Sequence, residues 1–162
     1  MNKQDLLSQL HDHLQQEIKA TICAVNEAHA LASHEQSKPE NQYDTLALEA
    51  AYLAHGQSER IAELQRQVMV LNHFELLNYD ETSRIVLGTV VCLVDSTSET
   101  QWLWLLPVSG GVLLRADEHE IRTITPEAPL GKKLLANDLT VGDEIELQLG
   151  YIKKQFEILE LL

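Results

Sequence analysis

Basic residues, aromatics and cysteines are all scarce in this chain of 162 residues, and each shortage removes a class of function. Twelve Lys and Arg stand against 25 Asp and Glu, a net charge of −13 with a pI near 4.8. A surface that negative repels phosphate backbones, so neither sequence-specific DNA binding nor any other direct nucleic-acid binding is expected. A protein partner or a bound cation suits the charge better. Aromatics make up 5% of the chain, so any core must rest on Leu, Ile, Val and Ala. Cys23 and Cys92 are far apart and have no Cys-x-x-Cys neighbours, which excludes a disulfide framework and a zinc ribbon. No apolar run reaches the length of a membrane span. The stretch "MNKQDLLSQLHDHLQQEIK" carries charges throughout, where a signal peptide would be continuously apolar. A soluble, cytoplasmic protein is therefore the expectation. Gly-rich phosphate loops, nucleophile elbows and Cys/His clusters are also missing from the sequence.

The first seventy residues hold a single proline, Pro39, and a single glycine, Gly56, so little interrupts a helix there. Leu6, Leu10, Leu14, Ile18, Ile22, Val25, Ala28 and Ala32 recur in steps of four and three, one stripe of an amphipathic helix. Leu46, Ala50, Leu53, Ile61, Leu64, Val68 and Leu71 form a second stripe, whose last four members have the spacing of a coiled-coil seam. Two such helices, each on the order of 45 Å long, joined by a polar segment, fold back as an antiparallel pair and bury each other's stripe. Residues 1–76 are thus expected to form a coiled-coil hairpin.

Past Leu77 the pattern changes. "NYDETS" (Asn78 to Ser83) reads as a linker, and strand-like runs follow at Arg84 to Asp95, Thr100 to Val108, Glu120 to Thr125, Asp143 to Leu149 and Lys154 to Leu161. Ser109–Gly111 and Leu149–Tyr151 punctuate them as turns. One helix is expected within Ala128 to Asp138, opened by Pro129 and given an apolar face by Leu130, Leu134 and Leu135. Residues 77–162 then form a small domain with a mainly antiparallel sheet, and the chain as a whole is α+β. Neither half is a basic module: residues 1–74 carry five basic and ten acidic residues, residues 75–162 seven and fifteen.

The segment "APLGKKLLANDLTVGDEIELQLGYIKKQFEILEL" resembles the C-terminal motif of the Gre transcription elongation factors. In that family Ser-Pro-Leu-Gly-[KR]-x-Leu-Leu precedes Val-Gly-Asp and a final Tyr/Phe-Glu-Ile strand. The matching residues here are Pro129, Leu130, Gly131, Lys132, Leu134 and Leu135, then Val141, Gly142 and Asp143, then Phe156, Glu157 and Ile158, with Ala128 in place of the usual Ser. The resemblance implies an FKBP-like α/β domain docking on RNA polymerase at the rim of its secondary channel, through Pro129, Leu130, Gly131 and Lys132. It also implies that the helical hairpin enters the channel and brings acidic residues near the catalytic Mg²⁺, where they stimulate cleavage of backtracked RNA. Such a factor is not itself an enzyme and has no cofactor of its own beyond Mg²⁺ shared with the polymerase. The family's tip, Asp-Leu-Ser-Glu-Asn, falls on Ser37 to Asn41: Glu40 and Asn41 match, and Ser37 stands where the family has its first acid.

Ser37 and Glu40 also form a Ser-x-x-Glu capping box, which starts the second helix there. Glu40 and Asp44 then lie four apart on one helix face, an alternative pair for the shared Mg²⁺, or else a solvated acidic first turn favoured by the helix dipole. Two readings of the function follow: stimulation of cleavage through the tip acids, or regulation or inhibition of the polymerase from the channel without cleavage. Both have a monomer. A coiled-coil adaptor, with the seam paired between chains, is a structural alternative. A prolyl isomerase is an enzymatic one, for which this half offers only Tyr79, Trp102, Trp104, Tyr151 and Phe156 as pocket aromatics. His11 and His13 are two apart on different helix faces, and His29, His34, His55, His73 and His119 are scattered surface or boundary residues.

Overall fold

The computed structural model describes residues 1–33, 46–76, 84–136 and 138–162. It is α+β: α1 (Lys3–Ser33) and α2 (Leu46–Asn72) precede β1 (Val90–Asp95), β2 (Thr100–Leu105), β3 (Leu113–Ala116) and β4 (His119–Ile124). Then come α3 (Pro129–Ala136), β5 (Glu144–Leu149) and β6 (Ile152–Leu161). Two compact units result, one of Met1–Leu10 with His73–Leu162, the other of His11–Asn72. Among the described residues no helix is long and apolar enough to cross a membrane.

In the helical unit Leu14, Ile18 and Leu64 are buried, and Arg60 donates to Glu17 across the two helices at 2.9 Å. The stripes do not stay buried along their expected length. Ile22 and Leu53, both assigned to them from spacing, are 41% and 56% exposed. Beside Ile22, Thr21 turns its hydroxyl back to donate to the Glu17 carbonyl at 2.8 Å, and Gln57 stands among the α2 residues.

The sheet runs in the order β3-β4-β2-β1-β6-β5. Four of its pairings are antiparallel and one, β2 with β4, is parallel, so the sheet is mixed. The parallel pair arises because the chain leaves β2, passes over the place β4 will take, and returns through the β3–β4 hairpin. Ser109 and Gly111, at φ +61° and +92°, tighten that passage. Thr123, 1% exposed, pins it by donating to the Ser109 carbonyl and accepting the Val112 N–H at 2.9 Å.

Alternation along the strands sets the two faces. Val91, Leu93, Leu103, Leu105, Ile145, Leu147, Phe156 and Ile158 point to the side of α3 and form one core with Leu134. Trp104, fully buried, donates its indole N–H to the Gly88 carbonyl at 3.2 Å. Where β1 meets β6 the register shifts between Cys92 and Leu93, leaving Leu159 as the extra residue; it is 42% exposed, and Leu161 is restored to the core.

Two expectations are corrected here. The run from Arg84 is not strand until Val90, because Gly88 takes φ +97° and Thr89 closes a turn back to Val86 through both its amide and its hydroxyl. β3 was not expected at all: "LLRA" is four residues long, too short for a strand-length alternation to register. Strand β3 is an outer edge, and Gln9 covers it. Its side-chain amide donates to the Arg115 carbonyl at 2.7 Å and accepts the Arg115 N–H at 3.0 Å. One glutamine thereby supplies the two bonds a neighbouring strand would make.

Candidate functional site

The residues picked out from sequence fall into two groups with different outcomes. The tip residues Ser37, Glu40, Asn41 and Asp44 lie outside the described residues. Pro129, Leu130, Gly131 and Lys132 are described, and together they begin α3.

The helix starts there for identifiable reasons. Ala128 leaves its carbonyl to accept the first helical bond, from Lys132 N–H at 2.9 Å, and Pro129 follows at the position where a missing N–H costs nothing. Ala128 itself donates to the Thr125 carbonyl at 3.1 Å. Gly131 then passes so close to that carbonyl that an ideal Cβ would sit 2.1 Å from its oxygen. Glycine is therefore required by close approach. Its φ is not in the left-handed region, and the motif's glycine is a packing residue.

The four residues consequently separate. Gly131 is buried against Thr125, and Leu130, half-buried, packs on the core beneath. Pro129 and Lys132 are exposed. With Lys133 and Ala136 they make one stripe of α3, at i, i+3, i+4 and i+7, beside β5. This stripe and the Glu146–Gln148 stretch line a groove of ≈ 580 Å³. A second groove of ≈ 560 Å³ lies at the N-terminal end of α3, lined by Gly110, Gly111, Arg122, Thr123, Thr125 and Glu127 among others. Among the described residues no aromatic side chain lines either groove. Trp104 and Phe156 are core residues, Trp102 meets His119 with ring centroids 5.0 Å apart and planes tilted by 41°, and Tyr151 is fully exposed.

The rest of the motif converges on the same helix. Gly142, at φ +90°, donates to the Ile158 carbonyl at 2.8 Å, and Ile158 donates to the Asp143 carbonyl at 3.0 Å. The Asp143 carboxylate accepts the Thr140 N–H at 2.8 Å and the Thr140 hydroxyl at 3.2 Å, closing the turn that leads into β5. Leu134, Phe156 and Ile158 share one core. Residues separated by more than twenty positions thus build one corner of the sheet.

Acidic groups gather elsewhere, around a cleft of ≈ 160 Å³ lined by Asp95, Glu144 and Glu157. Glu144 and Glu157 are directly opposite in the β5–β6 pair. Asp95 is committed to its own turn: the Thr97 hydroxyl, at 2.6 Å, and the Thr97 and Glu99 amides hold its carboxyl below the usual range. Among the described residues no three acidic, His or Cys side chains are placed to hold a metal ion. Sequence reasoning passed over Gln9 and Thr123, the two polar residues that organise the sheet, because their partners are remote in the chain.

What the fold and this surface define is an α+β protein with two solvent-open grooves flanking a short, close-packed helix. No family model matches the chain, and no curated protein sequence matches it. Among solved structures it is similar to the GreA factor homolog 1 (Gfh1) protein of Thermus thermophilus, at 22% identity over 94% of each chain, with a TM-score of 0.35. It is likewise similar to Thermus aquaticus Gfh1, at 21% identity over 93% of this chain and 92% of that one, with a TM-score of 0.37. A further structure, of the transcription factor Gfh1, shares 21% identity over the same fractions, with a TM-score of 0.38.

Proposed function

We propose that this protein is a bacterial transcription factor of the Gre type, which binds RNA polymerase at its secondary channel and modulates elongation. The observation that carries the reading is the corner described above. Pro129–Leu135, Val141–Asp143 and Phe156–Ile158 resemble three separate pieces of one family motif, and they come together as one packed unit around α3. On this reading residues 77–162 form an FKBP-like docking domain, and Pro129 and Lys132 are its exposed contacts, supported from beneath by Leu130 and Gly131.

Residues 1–76 supply the coiled-coil hairpin that reaches into the channel. The Glu17–Arg60 ion pair and the buried Leu14, Ile18 and Leu64 support it. The protein acts as a cytoplasmic monomer and has no catalytic centre of its own, so any RNA cleavage belongs to the polymerase. At the tip, Glu40 and Asp44 are the carboxylates placed to share the polymerase Mg²⁺, with Ser37 and Asn41 beside them. That assignment rests on sequence spacing alone. A second reading, regulation from the channel without cleavage, is favoured by one specific residue: Ser37 offers a neutral hydroxyl where the family has an acid, and hard cations prefer charged oxygens.

Binding of purified core polymerase to the full chain tests the first step, and no interaction at micromolar concentration would refute it. Stalled elongation complexes then separate the two readings. Cleavage that is lost in Glu40→Ala and in Asp44→Ala supports the cleaving factor. Binding with no cleavage by the unaltered chain supports the regulator.

A further inference from the structure

The two outer edges of the sheet are treated differently. The β3 edge is only four residues long, and Gln9 occupies both backbone groups of Arg115. The β5 edge is six residues long, contains no proline, and pairs only with β6. Among the described residues no other backbone group bonds to Glu144–Leu149. An edge of that length, with a helix lying beside it and a groove between, is the arrangement that accepts an added strand.

Charge says what kind of strand. In a protein of net charge −13, the groove wall nevertheless carries two cations side by side, Lys132 and Lys133. Among the described residues neither is in an ion pair, whereas Lys153 is held by Glu146 at 3.0 Å and Arg84 by Asp138 at 2.9 Å. The two sides of β5 also differ in polarity. Ile145 and Leu147 point into the core beneath α3, while Glu144, Glu146 and Gln148 alternate with them and are exposed, Glu146 paired with Lys153 at the groove's β5 side. A strand laid along β5 would therefore alternate: one set of side chains meets Lys132 and Lys133, the next meets Glu144 and Glu146.

We infer that the groove between α3 and β5 binds an extended acidic segment of a partner protein by strand addition to β5, with acidic residues at alternate positions facing Lys132 and Lys133 and neutral or basic residues between them. The groove's ≈ 580 Å³ falls within the usual size of a ligand cleft, about 300–1,000 Å³. A second copy of this chain is a poorer occupant, because antiparallel pairing of β5 with itself, centred on Glu146, sets Glu146 against Glu146 and brings together two chains of net charge −13. The inference rests on the groove and the edge; Lys132 is also a proposed polymerase contact, so the acidic segment and the polymerase would compete for this surface.

The probe is a fluorescent hexapeptide with Glu alternating with Thr, read by anisotropy against the full chain. Two controls accompany it: the same composition in blocks, and the alternating peptide N-methylated at every second residue so that it cannot complete a ladder. The alternating peptide is expected to bind, and both controls to lose binding. K132E/K133E, two exposed substitutions, should weaken it about tenfold, the worth of two surface ion pairs. Amides of Glu144–Leu149 should exchange more slowly with peptide bound. Equal binding of the N-methylated or blocked peptide, or an unchanged affinity in the double variant, overturns the inference. So does sedimentation showing the unliganded chain as a dimer with β5 protected. None of these readouts involves polymerase, so their failure leaves the proposed function standing, and loss of polymerase binding leaves this groove standing.

Discussion

Replacing Gly131 by alanine tests the packing of α3 most directly. An ideal Cβ there stands 2.1 Å from the Thr125 carbonyl oxygen, 3.0 Å from its carbonyl carbon and 3.5 Å from Pro126 Cα. Cβ atoms do not approach other heavy atoms below 3.0 Å, and the obstacle is backbone, which cannot rotate aside. The helix has to move by close to an ångström, and the fully buried Leu134 moves with it. Overpacking of this kind costs about 3 kcal/mol at the upper end of its usual range. Alanine's better helix propensity returns about 1 kcal/mol, so the expected net loss is about 2 kcal/mol, close to a thirtyfold shift toward the unfolded chain. Gly56 in α2 is the control: nothing lies within 4 Å of its would-be Cβ, so Gly56→Ala should gain up to about 1 kcal/mol. Urea unfolding read by tryptophan fluorescence follows the first substitution, since Trp104 is buried in the same unit as α3; far-UV circular dichroism follows the second. A Gly131→Ala chain as stable as the parent, with an unchanged urea slope, would refute the close-approach argument.

Other substitutions probe the polar ties of the sheet and one buried cation. Thr123→Val removes the hydroxyl that bonds both the Ser109 carbonyl and the Val112 N–H, and should cost about 1–3 kcal/mol through the loss of two hydrogen bonds. Urea midpoints measure it, and a shift below 1 kcal/mol would show that the loop finds other partners. Gln9→Ala uncovers the β3 edge and should cost about 1 kcal/mol, with faster hydrogen exchange at the Arg115 amide as the specific sign. Lys3, only 9% exposed, has its pKa lowered by burial from 10.5 to about 8. Between pH 8 and 10.5 the unfolded chain therefore binds more protons than the folded one, and stability should rise with pH across that window. The rise in melting temperature between pH 8 and pH 10 should be reduced in Lys3→Met, which has no group there to titrate; a rise of the same size in both chains would place the cause elsewhere.

Much of the architecture was legible because local pattern and burial agree. The unbroken helical spacing from Leu6 to Ile18 marked α1, and Leu64 and Leu71 lay on the stripe drawn for α2. Five of the six strands fell within or beside runs identifiable from their apolar content, and Pro129 marked the start of α3. The misreadings have a common origin. Ile22 and Leu53 belong to their stripes by spacing, yet spacing does not say whether apolar surface is available opposite them. Strand β3 is too short to announce itself, and it exists because β4 and Gln9 complete its bonds from outside. On the candidate site, the motif pointed to Pro129–Lys132 without distinguishing the exposed pair from the buried one.

Composition and periodicity alone determined the class of this protein: an acidic chain with two long helices ahead of a small sheet, because those properties depend on neighbours within a few turns or strand residues. Only the tertiary structure decided that β2 and β4 run parallel, that Gly131 sits against a carbonyl, that Gln9 closes an edge 106 residues away, and that α3 leaves an open cationic groove beside β5. Each of these is a contact between segments distant in the chain. Their geometry is set by how the whole sheet closes, and no local run of residues encodes it.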